Sequence, residues 1–76
     1  MLDQSIRDTT IDFGKYRGQT FDEITNSGLD HDGLRYLDWL VGQKWLAKDK
    51  PALATALKTY LADPNVSRSL ELALEE

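Results

Sequence analysis

The apolar positions of this chain change period along its length, and each period predicts a different element. Residues 9–13, "TTIDF", alternate: Ile11 and Phe13 share one face and Asp12 lies on the other, the period of two of a half-buried strand. "GKYRG" follows, with a glycine at each side of a tight connection, and "QTF" can return as a second strand through Thr20 and Phe21. The pattern therefore predicts an N-terminal β-hairpin over residues 9–24, which must pack on helices because an isolated two-stranded hairpin is marginal in water. A second reading overlaps it. Thr20 with Glu23 three positions on is a capping box, which starts a helical turn at Phe21.

"TNSGLDHDG" reads as a loop, with Gly28 and Gly33 making it flexible or turn-forming. From Asp32, taken as N-cap, the spacing becomes helical: Leu34, Leu37, Leu40 and Val41 recur at three and four, and Tyr36 and Trp39 widen that core-facing stripe. Gly42 weakens the last turn or permits close packing, and "AKDK" beyond Trp45 and Leu46 is a polar break. Pro51 suits a first helical position, ahead of a Leu53, Leu57, Leu61 stripe flanked by Tyr60. "DPN" repeats the start, with Asp63 as cap and Pro64 at the first position; Val66, Leu70, Ala73 and Leu74 form the next stripe. The final "LEE" sets acids against the helix dipole and predicts fraying.

The expected fold class is therefore α+β, one small domain over residues 1–76. Residues 1–8 are expected to be disordered, residues 9–24 form the hairpin, and residues 32–76 supply about three helices. With 76 residues only about 60 to 65% of the unfolded surface can be buried, so every large apolar side chain has a first claim to be core.

Composition narrows the chemistry. There is no cysteine and one histidine, His31, so no disulfide framework or cysteine- or histidine-rich metal site is expected. The N-terminal "MLDQSIRDTT" has no basic-then-apolar leader pattern, and no apolar run approaches the roughly 20 residues that span a bilayer; a cytoplasmic protein without membrane contact is expected. Thirteen acids against nine bases, net charge −4, argue against gripping a duplex over many phosphates but leave room for a focused contact. Lys15 and Arg17, concentrated between two glycines, are that focus: they can hold a phosphate, and Tyr16 between them can stack on an unpaired base if it points outward. The competing account makes Lys15 and Arg17 solvated turn residues, with Phe13 and Tyr16 packed on Trp39. Trp45, beyond Gly42, is the candidate partner-binding aromatic.

Carboxylates at Asp22, Glu23, Asp30, Asp32 and Asp38 lack the spacing of a metal-dependent nuclease, and "DHDG" lacks the rest of a calcium loop. No Ser, Cys or paired acid is placed to complete a site around His31. No catalytic residue, metal ligand or cofactor site is assigned.

"FGKYRGQTFDEI", followed by "LRYLDWLVGQKW", resembles a small family that reads Phe-Gly-Lys-Tyr-(Lys/Arg)-Gly and then Tyr-Leu-x-Trp-Leu: bacterial and phage proteins described as quorum-sensing-regulated virulence factors, and the C-terminal domain of exodeoxyribonuclease X-like enzymes. The resemblance spans residues 11–57 and rests on Phe13, Gly14, Lys15, Tyr16, Arg17, Gly18, Tyr36, Leu37, Trp39 and Leu40. A longer Asn/Ser/Gly/Asp loop and a further helical segment after Asp63 depart from it. It implies service beside a nuclease rather than catalysis by this chain. Two functions follow as expectations: a non-catalytic nucleic-acid-associated module using Lys15, Tyr16 and Arg17, or an acidic bacterial or phage adaptor that modulates a partner enzyme. Leu72, off the Val66, Leu70, Ala73 stripe, also leaves a homodimer open.

Overall fold

The computed structural model describes residues 3–75. Six helices follow one another: α1 Gln4–Arg7, α2 Phe21–Thr25, α3 His31–Val41, α4 Lys44–Asp49, α5 Pro51–Ala62 and α6 Pro64–Leu74. The fold is all-α, which corrects the expected α+β class. Of the hairpin, one antiparallel bridge remains, Thr10 to Thr20, flanked by Ile11 N–H to Gln19 O and Phe21 N–H to Thr9 O, both 3.1 Å. The return strand ends because Thr20 is the N-cap of α2. Its hydroxyl accepts from Glu23 N–H at 3.1 Å and its own N–H donates to the Glu23 carboxylate at 2.9 Å. These local bonds satisfy donors that a strand would need a partner to satisfy, so the helix start overrides the alternation.

The span expected to be disordered contains α1; residues 1 and 2 lie outside the described residues, as does the Glu76 end of the expected fraying. Pro51 and Pro64 open α5 and α6 as the sequence predicts. The residue before each leaves the helical region, as proline's ring requires: Lys50 (φ −136°, ψ 65°) ends α4, and Asp63 (φ −59°, ψ 133°) caps α6 through Oδ2, which accepts from Asn65 N–H at 3.2 Å. Residues 47–49 of the segment read as a polar break instead complete α4, which starts anew after Gly42 with Leu46 inward and Trp45 outward. The cap of α3 also shifts. Asp30, not Asp32, accepts from Gly33 N–H at 3.1 Å, and Asp32 turns outward to pair with Arg35.

Ile11, Phe21, Ile24, Leu34, Leu37, Leu40, Leu46, Leu57 and Tyr60 are sealed from solvent in one core. α3 packs on α6, α5 on α4 and α6, and α2 on α3. Each fully buried Leu or Ile there contributes about 1.5–3 kcal/mol, which is how six short helices hold together without a disulfide. Gly33 is not a flexible joint. It is buried where α3 crosses α2, and a Cβ there would stand 2.0 Å from the Ile24 carbonyl oxygen. The Tyr60 hydroxyl donates to Asp22 Oδ1 at 3.0 Å and lies 2.8 Å from the buried Thr25 hydroxyl, tying α5 to α2. Among the described residues no buried side-chain polar atom lacks a partner.

Candidate functional site

Residues 13–18 form a loop laid across α3 and the start of α4. It closes on itself through Gly18 N–H to Ile11 O at 2.7 Å and Gln19 N–H to Tyr16 O at 3.1 Å. Aromatic rings fasten it at its start and at its middle. Phe13 meets Trp45 at 5.4 Å between centroids, 71° apart, and Tyr16 meets Tyr36 at 4.8 Å, 61° apart; these edge-on contacts are a favoured geometry for ring pairs. Tyr36 in turn lies 5.8 Å from Trp39, so the rings extend from the loop along α3. Between these two fastened residues Gly14 adopts φ 72°, and a Cβ there would meet the Tyr36 hydroxyl at 3.0 Å. Only glycine combines that backbone with so close an approach.

Lys15 and Arg17 are both exposed, and among the described residues neither makes an ion pair. Lys15 Nζ sits 5.4 Å from the Tyr16 ring centroid. Arg17 lies within the field of Asp12, but that carboxylate is bonded to Lys50 at 3.1 Å. The hydrogen bond from Lys50 holds the Asp12 carboxyl below the usual carboxylate range, so Asp12 is an anion at neutral pH and offsets part of the local positive charge. Lys50 Nζ also lies 5.6 Å from the Phe13 centroid.

Of the residues singled out beforehand, Lys15 and Arg17 are on the surface and Trp45 is 40% exposed, against Phe13 at the start of the loop. Tyr16 is half-buried, held between the Lys15 ammonium and Tyr36. Trp39, assigned to the core face, is corrected: it is 54% exposed. Leu37 and Leu40 on either side of it are sealed, so its turn of α3 is anchored while the indole projects. The expected packing of Phe13 and Tyr16 on Trp39 is replaced by Phe13 on Trp45 and Tyr16 on Tyr36. A heptad-style count could not separate Tyr36 and Trp39 from the Leu stripe, since all lie within one broad apolar arc.

Two concavities lie elsewhere. A polar one of about 190 Å³ is bordered by Arg7, Asp22, Tyr60, Asp63 and Ser69. Asp22 accepts from Tyr60 and Asp63 caps α6. Burial, reinforced by the Asp22 carboxylate, pushes the Tyr60 phenol up to about 12, so it stays protonated at neutral pH and serves as a donor. A shallower one of about 490 Å³ runs between Thr10 and Leu53, with Asp12 and Lys50 at its rim. The acids considered for metal are dispersed in structural duties: Glu23 in the capping box, Asp30 and Asp63 as caps, Asp32 with Arg35. Among the described residues no three acids, histidines or cysteines converge as a metal-holding group.

No family model, curated protein or solved structure matches this chain.

Proposed function

We propose that this chain is a small non-catalytic nucleic-acid-associated module, contacting a phosphate backbone or a single-stranded end through the loop of residues 13–18. The observation that carries the reading is the loop itself: two exposed cations, Lys15 and Arg17, flank Tyr16, whose ring packs on Tyr36, while Phe13 at the loop's start packs on Trp45. Fastening matters because a fixed loop loses little conformational entropy on binding. Arg17 supplies a planar fork for phosphate oxygens and Lys15 a compact charge. The motif-level likeness to nuclease-associated domains points the same way. Tyr16 contributes by positioning Lys15. Binding is weak, because two cations neutralise few phosphates and the chain as a whole repels them, and it is lost as salt is raised.

Titration of a labelled oligonucleotide at low ionic strength tests this. Binding that disappears on adding salt and weakens several-fold in Lys15→Ala/Arg17→Ala is expected. Absence of binding, or binding indifferent to the double variant, would overturn the reading.

A second reading, an acidic adaptor that docks on a partner enzyme, is favoured by Leu29, Leu72 and Leu74, each more than half exposed, and by the net charge of −4. Sedimentation with and without a basic partner protein distinguishes it, since this complex is unaffected by changes at Lys15 and Arg17.

A further inference from the structure

Resting on that reading of the loop, we propose that the indoles of Trp39 and Trp45 are stacking platforms for unpaired bases, so that this face selects single-stranded over duplex nucleic acid. A domain this small has little apolar surface to spare, and burying an indole is among the largest contributions it can make to its own stability. Yet the only two tryptophans of the sequence stand 54% and 40% exposed, while the smaller Leu37, Leu40 and Leu46 around them are fully sealed. Each indole is also held. Trp39 leans on Tyr36 at 5.8 Å and Trp45 on Phe13 at 5.4 Å, so one part of each ring is fixed by a neighbour and the rest faces solvent. The partners of both tryptophans lead back to the loop: Phe13 is its first residue, and Tyr36 contacts Tyr16 within it.

Flat, exposed, oriented rings joined through Phe13 and Tyr36 to a loop that carries two exposed cations fit a ligand that is itself flat, aromatic and anionic. A single strand has that chemistry, with base faces free to stack and phosphates at intervals for Lys15 and Arg17. A duplex does not, because its base faces are already stacked and its dense phosphates call for a longer basic surface than a net-acidic chain provides. The base contact also moves away from Tyr16, whose ring is held between the Lys15 ammonium and Tyr36.

Three ligands of equal length separate the contributions: an intact single strand, the same strand with abasic sites throughout, and the corresponding duplex. Indole fluorescence reports directly, since both fluorophores are the proposed contacts. Intact single strand is expected to quench the emission and to bind about 5- to 160-fold tighter than the abasic strand, the range for one stacked base. Trp39→Ala and Trp45→Ala should each lower intact-strand affinity toward the abasic level, and Trp39→Phe should restore much of it; the helical circular dichroism of each variant confirms that the fold persists. Equal binding of all three ligands, still lost in Lys15→Ala/Arg17→Ala, overturns the stacking inference while leaving the phosphate contact standing. No binding of any ligand overturns both.

Discussion

At Gly33 a single hydrogen atom decides how closely two helices approach. The sequence marks this glycine only as loop-forming, because nothing local reveals that Ile24 passes over it. A methyl group there would stand 2.0 Å from the Ile24 carbonyl oxygen, so Gly33→Ala forces α2 and α3 apart and should cost at least about 1–3 kcal/mol, read as a lowered urea midpoint. Gly42→Ala is the contrasting case. Its backbone is ordinary for a helix end and the nearest atom to the new Cβ would be 3.5 Å away, so no loss, or a gain of up to about 1 kcal/mol, is expected. Tyr60 presents the same division. Its place in an apolar stripe is visible in the sequence, but its hydrogen bonds to Asp22 and Thr25 join positions 38 and 35 residues away. Because burial raises the phenol's folded-state pKa to about 12 from the ordinary 10, the neutral form is the one folding favours. The stability it contributes is complete below about pH 10 and is lost as pH rises toward 12. Urea midpoints measured across that interval should fall for the natural chain, and Tyr60→Phe should remove the part of the fall that this phenol causes.

Helix starts were the most legible elements, because their signals lie within about four residues. Pro51, Asp63 with Pro64, and the Thr20 to Glu23 box all act where the sequence places them. The cap of α3 was less legible, since two aspartates stand two positions apart and either suits a cap in isolation. The bond from Gly33 N–H selects Asp30. Asp30→Ala should therefore cost about 1 kcal/mol and Asp32→Ala only about 0.5 kcal/mol, the latter reflecting an exposed pair with Arg35 and a first-turn charge. Thermal unfolding of the two variants side by side checks the order; the reverse order would restore Asp32 as the cap. The hairpin failed for a related reason. Its alternating residues are real, and Ile11 is fully buried, but only one residue pair bridges before the capping box claims Thr20. α4 was missed because six residues carry too short a period to register against their charges.

Taken whole, the molecule is net acidic, with Lys15 and Arg17 exposed together on one loop. No helix among its described residues is long and apolar enough to cross a membrane. If Lys15 and Arg17 are the principal phosphate contacts, the logarithm of the association constant for a single strand should fall against the logarithm of salt with a slope of about −1.4, at about 0.7 per neutralised phosphate. A much steeper slope, measured by the same fluorescence titration, would mean that a wider basic surface takes part. Charge and residue identity at positions 15 and 17 were plain in the sequence, as were the proline and cap signals, because each is a property of a residue and its chain neighbours. Which rings fasten the loop, and that Trp39 stands in solvent beside it, depended on how α3 lands between α2 and α6. An apolar stripe says that a helix has a face to bury, but the width of what covers that face is set by other helices, and here the cover stops short of the indole.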